Sequence, residues 1–138
     1  NQGPLQVVPG SHQGQIFEHY DDRREWTGAI KDSDIQNAGL NPPLEITGDA
    51  GTVSVHHSRT IHGSGQNHSQ WGRPALVITY SAADAVPYTA PAYPSSHYGR
   101  IVRGAEPGYA HHEELYIPMP PDWSGGYTSI FDHQEDNA

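Results

Sequence analysis

Thr52-Val53-Ser54-Val55-His56-His57 alternates residue by residue, so that Val53, Val55 and His57 share one face and Thr52, Ser54 and His56 the other. A period of two is that of a β-strand with one face turned inward. Three further runs have the same texture. Leu5-Gln6-Val7-Val8 is stopped by Pro9-Gly10, and Leu44-Glu45-Ile46-Thr47 follows Asn41-Pro42-Pro43 and is stopped by Gly48-Asp49. Ala75 to Tyr80 is the strongest strand candidate, β-branched and aromatic, with Leu76, Ile78 and Tyr80 on one face. Turn formers separate the runs, as short strands require. Glu18 to Asp34 is polar and charged and reads as an exposed excursion with at most a short helix; Ser33 to Leu40 is the best helical stretch. After Pro87 come Pro91, Pro94, Pro107, Pro118, Pro120 and Pro121 in a tyrosine-rich tail unsuited to a long helix or a central strand. The pattern predicts a mainly β protein, a sandwich or barrel with a covering C-terminal arm.

Composition narrows the function. The 138 residues allow one domain and little more, with 15 glycines and 12 prolines matching a turn-rich chain. Seven Lys and Arg against 16 Asp and Glu give a formal charge of −9, with no basic cluster for nucleic acid or anionic lipid. The absence of cysteine excludes disulfides, thiolate metal sites and cysteine nucleophiles. No apolar run reaches the ~18–20 residues of a membrane span, and no signal peptide is visible, so the cytoplasm is the expected compartment. No Ser-His-Asp context and no facing carboxylate pair stands out; Glu113 and Glu114 are adjacent and would point opposite ways on a strand.

Ten histidines remain to be explained, and the informative ones lie between Val55 and Arg73: His56, His57, His62 and His68. His62 precedes Gly63-Ser64-Gly65, where an imidazole could project from a sheet rim while the backbone reverses. Arg73 opens the strongest strand candidate, and adjacent antiparallel strands would bring imidazole and guanidinium together. A metal ligand beside a planar cation suits a chelating dicarboxylate, with one end on the metal and the other in a bidentate arginine fork, assisted by the Ser64 hydroxyl. Taken alone, His62 reads first as a turn histidine satisfied by backbone hydrogen bonds, and Arg73 as a surface residue. His56 reads as structural or exposed, His68 as solvated, and His12 as fixing a loop.

Asn1-Gln2-Gly3-Pro4-Leu5-Gln6-Val7-Val8-Pro9-Gly10-Ser11-His12 resembles the N-G-P-L-x-x-x-P-G-S-H segment of the phytanoyl-CoA dioxygenase family. His62-Gly63-Ser64-Gly65-Gln66-Asn67-x-Ser69 followed by Arg73 resembles that family's distal histidine and co-substrate arginine block, and Ser81-Ala82-Ala83-Asp84 also fits. The resemblance implies a double-stranded β-helix (a cupin-like jelly roll) that binds Fe(II), 2-oxoglutarate and O₂ and hydroxylates a small organic molecule. It implies that His62 is a metal ligand and that Arg73, supported by Ser64, holds the far carboxylate of 2-oxoglutarate.

The resemblance also implies a His-x-Asp ligand pair ahead of the Asn-Gly-Pro-Leu segment. Those ligands are absent from this chain. His19-Tyr20-Asp21 has the letters but follows the Pro-Gly-Ser-His turn, and His133-Gln134-Glu135 lies near the terminus. The 138 residues are therefore expected to be the C-terminal part of a longer enzyme, inactive alone, with residues 1–87 in the jelly roll and 88–138 as an arm packed on it. The remaining readings are these. Gly63 and Gly65 permit positive φ beside the metal, and Asn67 hydrogen-bonds the turn backbone. Trp26, Trp71 and Trp123 either line a substrate pocket or pack. The alternatives to a dioxygenase are a non-catalytic cupin-like domain with structural or adventitious metal-binding histidines, or a metal-dependent lyase or isomerase, which would keep His62 without needing Arg73. Substrate identity and oligomeric state are not readable from the residues.

Overall fold

The structure, a computed structural model, describes residues 2–113 and 115–126. The chain falls into two compact units, Asn1–Glu18 with Ile30–Leu76, and His19–Ala29 with Val77–Ala138.

The first unit is built on a three-stranded antiparallel sheet of order β2-β1-β3, with β1 at Leu5–Val7, β2 at Leu44–Ile46 and β3 at His62–Ser64. Two of the strands are those expected around Leu5 and Leu44, each ended by its Pro or Gly punctuation. Register places Leu5, Gln6 and Val7 opposite Ile46, Glu45 and Leu44 on one side, and opposite Ser64, Gly63 and His62 on the other. The ladder is extended by Val8 N–H to Ile61 O at 2.9 Å, and Gln6 Nε2 donates across it to Glu45 Oε1 at 3.3 Å. A 3-10 turn at Ser11–Gln13 reverses the chain after β1, entered through Gly10 at φ 82°.

Helix α1 spans Asp32–Asn37, within a residue of the expected start. Asp32 and Asp34 in its first turn complement the positive end of the helix dipole. It stops at Ala38, followed by Gly39 at φ 59°, where glycine adopts the left-handed cap freely; Asn41-Pro42-Pro43 then prevents a restart.

Two expected strands do not form. Thr52 to His57 and Ala75 to Tyr80 belong to no strand, with Val55 93% and Leu76 87% exposed. Alternation marks the face a strand would bury, but a strand exists only against a hydrogen-bonding neighbour, and no described residue pairs with either segment. The described sheet is compatible with a cupin-like fold, and a complete jelly roll is not among the described residues. No apolar side chain among them is buried; the buried side chains are polar, Ser11 and Thr60.

In the second unit the acidic excursion forms a tight hairpin closed by a Tyr20–Trp26 bridge. Asp21 Oδ1 accepts the Arg23 and Glu25 N–H groups at 2.9 and 2.8 Å, which stabilises the turn that puts Arg24 at φ 67°. The Arg24 guanidinium lies 4.9 Å from the Tyr20 ring centroid, and Tyr20 Oη donates to Met119 O at 3.0 Å. Trp26 meets Trp123 edge to face at 5.1 Å, so these two tryptophans pack together, whereas Trp71 in the first unit is 75% exposed and anchors its turn through its backbone.

The Pro/Tyr-rich segment is fastened locally by Asp122. Its carboxylate accepts the Ser124 hydroxyl at 2.8 Å, the Ser124 N–H at 3.1 Å and the Ala90 N–H at 3.3 Å. The Ser124 hydroxyl first, then the Ser124 and Ala90 amides, hold this carboxyl below the ordinary value of 3.8. A carboxyl depressed in the folded state stabilises above its unfolded pKa and loses that contribution as pH falls through the folded value. The amide resonances of Ala90 and Ser124 are therefore expected to stay fixed from neutral pH down to about 4 and to move together below it. An NMR titration checks this, and Asp122→Asn should remove the joint movement.

Candidate metal and co-substrate site

β3 positions the chemistry. Its residues alternate, so His62 and Ser64 stand on one face and Gly63 on the other. The His62 Nδ1 lies 2.7 Å from the Thr60 carbonyl oxygen. A carbonyl only accepts, so Nδ1 carries the proton and Nε2 keeps its lone pair. That is the tautomer a metal-ligating imidazole adopts when a backbone carbonyl orients it.

His57 is in the opposite state. Its Nδ1 accepts the Arg59 N–H at 3.1 Å, leaving the neutral ring with its proton on Nε2 and no free lone pair. Its ring lies 5.7 Å from that of His12, while His56 lies 5.3 Å from His62. The two neighbours thus meet different partners; His56 is exposed, as expected, and His57 holds the turn that follows it.

Arg73 and Ser64 meet: Nη2 donates to Ser64 Oγ at 3.0 Å. Adjacent strands do not deliver this contact, because no strand forms at Arg73. The delivery comes from the turn before it. Asn67 Oδ1 accepts the N–H and hydroxyl of Ser69 at 2.9 and 2.7 Å, and Asn67 Nδ2 donates to Trp71 O at 2.8 Å. Asn67 therefore shapes the backbone, as expected of it. Among the described residues no carboxylate neutralises the Arg73 guanidinium. Its remaining donors and the Ser64 O–H are together suited to an anionic oxygen pair.

The glycines act differently from expectation. Gly63 and Gly65 are not at positive φ, and Gly63 lies within extended β3. A left-handed glycine faces this turn from the N-terminal segment: Gly3, at φ 62°, packed so close that a Cβ there would overlap Gly65 O and lie 2.8 Å from Gly65 C. A positive φ at Gly3 and a bare Cα let the N-terminal segment back the turn that follows Ser64.

With Nε2 unprotonated, the His62 imidazole has the chemistry of a single metal ligand. Among the described residues no group of three or more His, Cys, Asp or Glu side chains could hold a metal. Asp21 of His19-Tyr20-Asp21 is committed to its hairpin turn, and His133-Gln134-Glu135 lies outside the described residues, as does Glu114. A shallow apolar cleft of about 350 Å³ in the second unit, lined by Pro91, Pro94 and Trp123 among others, contains no metal-ligating side chain. No helix among the described residues is long and apolar enough to cross a membrane.

Ser11, Thr60 and Gly3 are the site-supporting residues that sequence reasoning assigned no such part. Their only signal was membership of the Gly-Pro-Leu to Pro-Gly-Ser-His segment or proximity to His62.

The sequence pattern of the family described as Phytanoyl-CoA dioxygenase (PhyH) matches residues 1–75. The chain is 36% identical over 135 residues to a probable alpha-ketoglutarate-dependent hypophosphite dioxygenase of Stutzerimonas stutzeri, covering 96% of this chain and 47% of that protein. It is 33% identical over 87 residues to the human peroxisomal phytanoyl-CoA dioxygenase, covering 61% of this chain and 25% of the relative. An L-proline trans-4-hydroxylase of Streptomyces griseoviridis is 31% identical over 99 residues, covering 62% of this chain and 37% of that enzyme. The chain thus spans half or less of the length of these relatives. No solved structure matches. With its two motifs placed side by side by the β1–β3 ladder and matched over residues 1–75, the chain belongs to the phytanoyl-CoA dioxygenase (PhyH) family.

Proposed function

We propose that this chain supplies one metal ligand and the co-substrate clamp of a non-haem Fe(II)/2-oxoglutarate-dependent dioxygenase that oxidises a small molecule. The observation that carries the reading is the Arg73–Ser64 contact at 3.0 Å on the face of β3 that also bears His62. A non-catalytic cupin-like domain or a lyase does not need a guanidinium bonded to Ser64 on the strand face that bears a metal-competent imidazole. A dicarboxylate co-substrate does.

Iron and 2-oxoglutarate, when bound, supply the oxidising chemistry. The chain's own residues bind and orient. His62 presents Nε2 to the metal, Ser64 steers the guanidinium, and Arg73 takes the far carboxylate of 2-oxoglutarate. The remaining metal ligands belong to a part of the protein outside these residues. Two facts support this assignment: the relatives are at least twice as long as the matched region, and the strand-patterned segments around Val55 and Leu76 are uncovered. In this reading residues 1–87 belong to the jelly roll and 88–138 form its C-terminal arm. The relatives' named substrates, hypophosphite and L-proline among them, support a small-molecule substrate.

The test is Arg73→Ala in the full-length natural protein. A charge-assisted hydrogen bond contributes about 1.5–3 kcal/mol, so half-saturation by 2-oxoglutarate should rise roughly ten- to a hundredfold. Arg73→Lys should recover only part of this, because ammonium is a point charge and not a fork. An unchanged 2-oxoglutarate requirement in Arg73→Ala would count decisively against the clamp.

A further inference from the structure

We propose that Ser11 is a positioning residue for the His62 metal ligand, its hydroxyl fixing the backbone from which the imidazole projects. The inference rests on the reading of His62 as a ligand and adds a part for the Pro-Gly-Ser-His turn, which the clamp itself does not use.

Ser11 is 7% exposed, one of the two buried polar side chains among the described residues, the other being Thr60 at 8%. Its hydroxyl donates to Val8 O at 2.8 Å and accepts the Ile61 N–H at 2.8 Å, across 50 residues of sequence. A single hydroxyl with one donated and one accepted bond has its direction set at both ends. Ile61 immediately precedes His62, and its carbonyl accepts the Val8 N–H at 2.9 Å. Thr60 O receives His62 Nδ1 at 2.7 Å, and Thr60 N–H donates to His57 O at 2.9 Å. Residues 60–62 are therefore held by Ser11, by β1 and by the His57 turn together.

The arrangement matters because β3 is short, lies at the edge of the sheet, and has an exposed imidazole. Packing does not fix the direction of Nε2. Hydrogen bonds do, and the Ser11 hydroxyl is the only side chain among the described residues that bonds the Ile61 amide. Without it a half-buried N–H loses its partner, and the peptide is free to rotate toward another acceptor. A partner bonded directly to a ligating imidazole, here the Thr60 carbonyl, typically changes metal affinity about 10- to 100-fold, and Ser11 acts one step further out through the Ile61 peptide.

The experiment is a Co(II) titration of the full-length natural protein, followed by the visible absorption of the bound ion, with Ser11→Ala, Ser11→Thr and His62→Ala. The expected result is loss of the site in His62→Ala and about three- to tenfold weaker binding with an altered band shape in Ser11→Ala, below the range for a direct partner of the imidazole. Ser11→Thr, which keeps the hydroxyl, should return to within about twofold of the parent. If His62→Ala binds Co(II) as the parent does, the metal-site reading fails. If His62→Ala loses binding while Ser11→Ala retains parental affinity and band shape, the positioning inference alone fails. It fails equally if Ser11→Thr is as weak as Ser11→Ala. Should Ser11→Ala not fold, Ser11→Cys keeps the size with a poor acceptor; weakened binding supports the inference and parental binding overturns it.

Discussion

Replacing His62 by alanine should abolish Fe(II)-dependent conversion of 2-oxoglutarate to succinate in the full-length natural protein and weaken metal binding more than a hundredfold. The size follows from the tautomers. His62 has its Nδ1 tied to the Thr60 carbonyl at 2.7 Å, which leaves Nε2 as a lone-pair donor. The neighbours are not held in the same state. His57 has Nδ1 engaged by the Arg59 amide at 3.1 Å, so its neutral ring offers no lone pair. His56 lies with its ring centroid 5.3 Å from that of His62, and no hydrogen bond among the described residues orients its ring as Thr60 orients His62. Loss of an outer partner alone typically changes affinity about 10- to 100-fold, and loss of the ligand should exceed that. His57→Ala, by contrast, should loosen the turn at Ser58–Arg59 and leave metal stoichiometry unchanged. Succinate formation and Co(II) titration on the same preparations separate the two. Parental turnover in His62→Ala would remove the foundation of the proposed site.

Gly3→Ala should be the most damaging small substitution, although Gly3 touches no metal and no co-substrate. Its φ of 62° lies in the left-handed region, which costs an L-residue about 1–2 kcal/mol. The new methyl would also overlap the Gly65 carbonyl oxygen and approach Gly65 C at 2.8 Å and Gln66 C at 3.0 Å. These are backbone atoms, which cannot rotate away as a side chain would. Overpacking typically adds about 1–3 kcal/mol, for a combined loss of roughly 2–5 kcal/mol. Because Gly65 follows Ser64, relief of the clash moves the hydroxyl that steers Arg73. Thermal or urea unfolding should show the lost stability, and the surviving folded fraction should need more 2-oxoglutarate. Gly63→Ala is the control, since a Cβ there meets nothing within 4 Å. Equal stability of the two variants would contradict the close approach.

Local grammar made part of this fold legible. Pro9-Gly10 and Asn41-Pro42-Pro43 bound two strands correctly, and the helix expected over Ser33 to Leu40 forms over Asp32–Asn37, ending three residues early. The Asn67 turn was legible for the same reason: an Asx side chain bonds backbone within a few residues of itself, so its contacts are already present in the sequence. The segments from Thr52 to His57 and from Ala75 to Tyr80 were misjudged because alternation describes a strand's preferred face and contains no information about its neighbour. The positive φ assigned to Gly63 and Gly65 belongs to Gly3, since what matters is which backbone lies across the ladder, and that partner is some sixty residues away.

The sequence by itself determined the chemistry on offer: no thiol, no basic surface, an imidazole and a guanidinium separated by a glycine- and asparagine-rich turn, and two motifs of one family. Only the tertiary structure decided how those groups are presented. Which histidine keeps its lone pair depends on whether a carbonyl or an amide meets Nδ1. Which serine holds the peptide before His62 depends on the pairing of β1 with β3, whereas Ser64 meets Arg73 through the turn between them. Propensities and spacings are local properties of a chain, whereas hydrogen-bond partners at a sheet edge are set by the register of strands far apart in sequence.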